Sequence, residues 1–279
     1  MSLASKLPWN HRFAGGYPGL SSQALPTDAD AIDYLTRMAT ADGAGVETGV
    51  AVAVDAFFRD SKATGVFDAL KACCILAGAR TLAGALVPVV GDAPTNLPVA
   101  NGFTSGDYTR GGATPGLKGD GTSYLDSGRA SDDDPQNDWH LGLYYSAVNP
   151  AGGKIDAGAG GTALGALNFA QAAGTLFVRS KSTSASENVG TTGTGFAGLS
   201  RSLSTAYDYR VNASTGSAST TSRTPTTDNV FIFARNDGAG NGAFPTDATF
   251  AFYSIGTSLS LEDLDTAVTN LITAIGEAL

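Results

Sequence analysis

The chain has 279 residues, 17 Lys and Arg against 26 Asp and Glu, a net charge of −9, and 36 glycines, with only 15% charged residues. Acidity without any cluster of Lys or Arg speaks against a nucleic-acid binder. No apolar run approaches the roughly 20 residues of a membrane span, so no membrane role is expected. The low charge, filled by Gly, Ser, Thr and Ala, suits an all-β protein rich in turns better than a helical enzyme. The length suffices for one large β domain or two smaller ones with a proper core.

Residues 1–26 read as an extended arm. Pro8, Pro18, Pro26 and the pair Gly15-Gly16 oppose helix. Trp9, Phe13 and Tyr17 would be costly to leave in water, so they are expected to lie on a partner surface of this or another chain. The start has no apolar core after Lys6, so it is not read as a signal peptide.

Residues 27–88 read as a helical anchoring segment. Thr27, Asp28 and Asp30 form a helix start, and Ile32, Leu35 and Met38 follow at helical spacing. "ADGAG" interrupts, "VETGVAVAVDAFFRDSK" resumes as helix, and Gly65 stops it. "VFDALKACCILAGARTLAGALVP" is expected to be a second, very apolar helix ended by Pro88. Cys73 and Cys74 are adjacent and rarely could bridge each other, so they read as small buried residues of a chain made in a reducing compartment.

Residues 89–279 change character: short apolar runs alternate with Gly, Ser, Thr, Asn and Asp clusters, the pattern of an antiparallel β-sandwich. The expected strands are "GLKGD", "SYLDSG", "WHLGLYYSAV", "GTLFVRSKS", "AYDYRVNA", "NVFIFARN" and "ATFAFYSIG". "TTGTGFAGLSRSLSTA" and "ASTGSASTTSRTPTTD" read as loop and strand-edge material. A closing helix starts at Ser260, with Leu261, Leu264, Val268, Leu271, Ile275 and Leu279 on its packed face and Asp265, Thr266, Asn270 and Glu277 on the other. The fold class is therefore mainly β with a helical N-terminal segment: an antiparallel sandwich closed by a C-terminal helix.

Chemistry-bearing motifs are sparse. "GLKGDGTSYLDSG" has Lys118 before Gly119, no Ser or Thr after the lysine and no following helix, so it is a strand–turn–strand around Asp120-Gly121 rather than a phosphate loop. The four glutamates, Glu47, Glu187, Glu262 and Glu277, are scattered, which leaves no carboxylate pair for glycoside hydrolysis. His11 and His140 have no nucleophile elbow beside them. No catalytic residue is assigned and no enzyme activity expected. Asp132, Asp133, Asp134 and Asp138 crowd one loop; a solvated acidic turn is the leading reading and a Ca²⁺ site the weak alternative. Asp237 and Asn241 are a weaker case still. No cofactor is called for. Trp139, Tyr144 and Tyr145 share one strand; they either fill the core or stack on a sugar ring.

Residues 97–279 resemble a concanavalin A-like (laminin-G-like) jelly-roll domain of the kind carried by bacteriophage virion structural proteins. The residues that carry the resemblance are "LKGDGTSYLDSG", similar to an early F-x-G-x-x-x-Y-L strand pair; "YRVNASTG", similar to an x-V-N-G strand and turn; and the ending "FAFYSIGTSLSLEDLDTAVTNLITAIGEAL". "FDALKACCILAGARTLAGALVPVVGDAPTNL" is similar to the segment preceding such domains. The resemblance implies a virion component assembled in the host cytoplasm: a capsid decoration or cement protein, or a fibre or tail-associated protein. Its partners would be other virion proteins and copies of itself, a trimer being one arrangement. The alternative is a glycan-binding adhesin using Trp139, Tyr144 and Tyr145.

Overall fold

The computed structural model describes residues 25–148, 153–160, 167–172, 175–183, 186–191 and 193–279. Its helices are α1 (Ala29–Asp42), α2 (Thr48–Ala63), the single turns α3 (Val66–Ala69) and α4 (Leu82–Ala85), and α5 (Leu261–Ala278). The first strands are β1 (Leu70–Ile75), β2 (Pro88–Val90), β3 (Thr95–Leu97), β4 (Tyr108–Thr109), β5 (Gly116–Lys118) and β6 (Tyr124–Ala130). The middle group is β7 (Trp139–Ala147), β8 (Lys154–Ala159), β9 (Leu167–Ala172), β10 (Thr175–Arg179), β11 (Glu187–Thr191) and β12 (Gly195–Arg201). The last are β13 (Ala206–Val211), β14 (Ser214–Ser219), β15 (Asn229–Ile232), β16 (Arg235–Asn236), β17 (Gly242–Ala243) and β18 (Thr249–Gly256).

These strands form two sheets. One runs β14-β13-β12-β7-β18-β1-β2, with β5 also on β18 and β4 on β5; the other runs β11-β10-β9-β8-β15-β6-β3, with β16 and β17 beside β8. Among the described residues the strand pairings are antiparallel except the bridge of β16 to β8, and an isolated bridge of Ile155 to Pro245 is also parallel. The expected sandwich closed by a C-terminal helix is the fold observed.

Alternation along the strands explains the layering. Trp139, Leu141, Leu143 and Tyr145 of β7 point between the sheets with Leu199, Phe250 and Tyr253, where they meet Leu125, Leu176, Val178 and Ile232 of the opposite sheet. The other face of the first sheet is equally apolar. Cys73 and Ile75 of β1, Phe196, Ala251 and Phe252 pack under Tyr34, Leu35, Phe57, Phe58, Leu264, Val268 and Ile275 of the helices. The result is sheet, sheet, helix layer. Each fully buried Leu, Ile or Phe side chain contributes roughly 1.5–3 kcal/mol.

The apolar helix expected over residues 66–88 is instead the turn α3, strand β1, the turn α4 and strand β2. Ala72, Cys74 and Leu76 enter the inter-sheet core while Cys73, Ile75 and Ala77 enter the helix layer. A strand buried on both faces has no polar alternation, and its continuous apolar run reads like a buried helix. The first sheet thus takes a strand from the segment read as an anchor. The second correction is β12, which the Gly and Ser content had assigned to loop and strand-edge material. It is an interior strand, paired to β7 from Gly195↔Tyr145 to Arg201↔Trp139.

Helix α5 is capped as expected, Ser260 Oγ accepting from the Asp263 N–H at 3.3 Å. Its approach depends on two glycines. A Cβ on Gly142 would lie 3.2 Å from Leu264 Cδ2, and one on Gly198 would lie 2.8 Å from Leu261 Cδ2. Asp265, expected on the face opposite the packed one, is instead buried against the sheet at 7% exposure.

Candidate functional site: a groove at the sandwich edge

Strand β14 ends the first sheet and β11 ends the second. Between these two edges lies an open groove of about 420 Å³ lined by Val189, Tyr209, Val211, Asn212, Ser214 and Thr215. The floor is apolar: Val189, Tyr209 and Val211 belong to the rim of the inter-sheet core. Of the remaining lining, Asn212 brings an amide and Ser214 a hydroxyl, groups that both donate and accept hydrogen bonds, while the Thr215 hydroxyl is engaged by Arg210.

The hairpin builds this lining. Strands β13 and β14 pair from Ala206↔Ser219 to Val211↔Ser214, leaving Asn212 and Ala213 as a two-residue turn. Both have positive φ, 47° and 65°, as a type I′ hairpin turn requires. Asn tolerates the left-handed region because its short amide bonds locally; Ala213 is strained there. Tyr209 faces Gly216 across the hairpin. A Cβ on Gly216 would stand 2.3 Å from the Tyr209 ring, so glycine is what lets the ring lie on the β14 backbone. The Asn212 side chain is bounded on its far side by Gly193 and Gly195.

The groove is fixed to the helix layer by one polar chain. Arg210 Nη1 donates to Thr215 Oγ1 at 2.8 Å, and Arg210 Nε donates to Asp265 Oδ2 at 2.7 Å. Asp265 Oδ1 in turn accepts from Thr269 Oγ1 at 3.0 Å. Both charged side chains are about nine-tenths buried, so the pair acts with little solvent screening.

The aromatic group singled out in the sequence does not form an exposed stacking face. Trp139 and Tyr145 are buried at 1% exposure, and the Tyr145 hydroxyl donates to Asp156 Oδ2 at 2.9 Å. Tyr144 points the other way, half-buried against the helix layer; burial raises its phenol pKa, with Asp265 adding to the shift. β-strand alternation separates the three, since neighbours in sequence face opposite sides. Trp9, Phe13, Tyr17 and His11 lie outside the described residues.

The acidic loop is divided among structural tasks. Asp133 accepts from the Ala130 N–H, and Asp134 holds Arg129 in a two-pronged ion pair at 2.6 and 2.8 Å. Asp138 accepts from the N–H and the hydroxyl of Ser258, and Asp132 is exposed. Among the described residues no group of three or more His, Cys, Asp or Glu could hold a metal ion. Asp237 closes its own turn by accepting from the N–H groups of Ala239 and Asn241.

Three buried groups have reactive chemistry but no access. His140 Nε2 lies 3.1 Å from Ser254 Oγ and Nδ1 lies 2.7 Å from the Thr257 carbonyl, with His140 and Ser254 at 0% exposure. Burial drops the His140 pKa to about 4, leaving the ring neutral. Burial pushes the Cys74 thiol up to about 12. Lys181, pulled down to about 8 by burial, donates to the Asp134 carbonyl and sits over the Trp139 ring.

Sequence reasoning missed Tyr209, Asn212, Ser214 and Thr215 as site residues. The available signal was the V-N-A-S turn between two alternating runs, which fixes a hairpin but not its place at the sandwich edge.

No protein-family model matches the chain, and no curated protein sequence does. Solved structures do align. The CBM40 module of the Ruminococcus gnavus IT-sialidase, bound to α2,6-sialyllactose, aligns at 12% identity over 56% of this chain and 99% of its own, with a TM-score of 0.40. The botulinum neurotoxin serotype D binding domain aligns at 8% identity over 73% of this chain and 51% of its own, TM-score 0.44. Domains LG4-5 of the mouse laminin α1 chain align at 11% identity over 45% and 37%, TM-score 0.30.

Proposed function

We propose that the protein is a non-catalytic binding module that holds a saccharide in the groove between β11 and the β13–β14 hairpin. The observation that carries this reading is the lining itself: an aromatic ring against a glycine, an apolar floor, and the amide of Asn212 and the hydroxyl of Ser214 beside it. Aromatic faces hold the C–H face of a sugar while paired donors and acceptors meet its hydroxyls. The test is a glycan array with the full chain, followed by calorimetry on any hit. Tyr209→Ala and Asn212→Ala should each weaken binding at least tenfold with the fold retained. Silence across the array, or unchanged affinity in both variants, would overturn the assignment.

A second reading makes the protein a virion structural component, anchored to neighbouring virion proteins by residues 1–26. It rests on the sequence resemblance and on one structural feature. The buried carboxylate Asp55 Oδ1 accepts from the N–H groups of Thr27 and Asp28, both at 2.7 Å, and Lys62 bridges Asp28 and Asp30. The chain therefore joins the helix layer at a rigid point through which an arm could transmit load. Deleting residues 1–26 should then abolish incorporation into particles; normal incorporation removes the arm's role.

A further inference from the structure

We propose that Arg235, on β16, and Phe244, just after β17, form an anion site for a carboxylate carried on a saccharide ring. It is separate from the Tyr209 groove and shares with it only the reading that the ligand is a sugar.

Phe244 is an exposed aromatic in an unfavourable conformation. It is 57% exposed, with φ at 55°. A bulky residue with positive φ is an outlier, and such strain persists where the surroundings hold it in place for a task. Here the Phe244 carbonyl accepts from the Ile155 N–H at 2.9 Å, which fixes the backbone. The guanidinium of Arg235 covers the ring on one side, its carbon 5.7 Å from the ring centroid. The loop from Asp237 to Ala243 contains only Asp, Gly, Ala and Asn, so it brings no bulk toward the ring.

Arg235 is itself poorly compensated. It is half-buried, and its Nε is buried without a hydrogen-bond partner. Burial lowers its pKa despite the nearby charge of Asp237. That carboxylate is drawn into its own turn by the N–H groups of Ala239 and Asn241 and by the Asn241 side chain, not by Arg235. A second cation, Arg179, lies near enough for the two positive charges to oppose each other. A half-buried guanidinium with a like charge nearby and an exposed ring beside it matches a ligand with a negative group and a ring face. A carboxylate gives Arg its preferred planar acceptor, and the sugar ring lies on Phe244.

The experiment titrates the full chain with trigalacturonate and with its methyl ester, which keeps the rings and removes the charges. Trigalacturonate should bind at least tenfold tighter than the ester at low salt, the difference shrinking as ionic strength rises. Arg235→Gln should erase that preference. Phe244→Gly relieves the backbone, so it should raise the melting temperature while weakening trigalacturonate binding at least tenfold. A purely structural Phe244 would not combine those two effects. Equal affinity for acid and ester, or full binding by either variant, would overturn the proposal. Tyr209→Ala, measured alongside, should leave the acid preference intact, so loss of the groove and loss of this site read out separately.

Discussion

The buried pair under the groove makes a quantitative prediction. In Asp265→Ala, Arg210 would keep its bond to Thr215 but lose the carboxylate at 2.7 Å, and Thr269 would lose its acceptor. The guanidinium would then be buried at about one-tenth exposure with no counter-charge. Removing one partner of a buried pair typically costs about 3–5 kcal/mol, because the remaining charge is stranded. Against a net stability of roughly 5–15 kcal/mol, this is a large share. In a chain of this size it should lower the melting midpoint by roughly 10 °C. The assay is urea unfolding of wild type and variant followed by far-UV circular dichroism. The double variant Asp265→Leu, Arg210→Met should recover much of the loss, since matched apolar groups leave no orphan charge. A cost under about 1 kcal/mol for Asp265→Ala would refute the reasoning, because that is the behaviour of a solvent-screened surface pair. A saccharide bound in the groove should also dissociate faster from the variant, since Thr215 would lose the anchor of its own anchor.

Three further outcomes follow from buried groups. His140 has a folded pKa of about 4 against roughly 6.5 when unfolded, so the unfolded chain binds its proton first; its contribution is full above about pH 6.5 and falls by about 3 kcal/mol as pH drops toward 4. Urea midpoints across that range should show this extra slope in wild type and lose it in His140→Gln. Cys73 and Cys74 are at 0% exposure, and burial holds both thiols protonated, so a thiol reagent should label neither until the protein unfolds; fast labelling in the native state would contradict their placement on β1. Asp55→Ala should cost about 1–3 kcal/mol and speed hydrogen exchange at the amides of residues 27 and 28, which lose their acceptor.

The sequence exposed those parts of the fold where period and environment agree. Strands β7, β13 and β18 were legible as apolar runs between turn residues, and α5 as a three-to-four stripe behind a Ser cap. The errors have physical causes. Residues 70–75 face apolar layers on both sides, so Lys71 is their only polar mark and no alternation survived. Strand β12 carries Gly198 and Ser200, residues of weak strand preference, where helix α5 and its preceding loop press on that face, and Gly195 where Asn212 comes close. Trp139, Tyr144 and Tyr145 were visible as an aromatic group, but only the register of β7 shows that the two outer ones face the core and the middle one the helices. Asp265 was assigned to the helix face away from the sheet, since its partner Arg210 is 55 residues away in sequence.

Glycines, which weaken a strand's sequence signal, are also what make the architecture work. Gly142 and Gly198 remove side chains where Leu264 and Leu261 must approach the sheet, and Gly216 removes one where the Tyr209 ring must lie. At each position a close approach replaces the side chain that would have carried the period-two signal. The groove is the consequence at the rim. Strand β14 is written Ser-Thr-Gly-Ser-Ala-Ser, with no Lys or Pro to blunt a sheet edge. Its protection instead comes from the tight Asn212-Ala213 turn and from Tyr209 lying across Gly216. A concave, uncharged edge with an aromatic floor discourages strand addition while still presenting hydroxyl and amide groups to a small polar ligand. The same substitution, Gly216→Val, should therefore close the groove and displace Tyr209 together, whereas a groove unrelated to the ring would survive it.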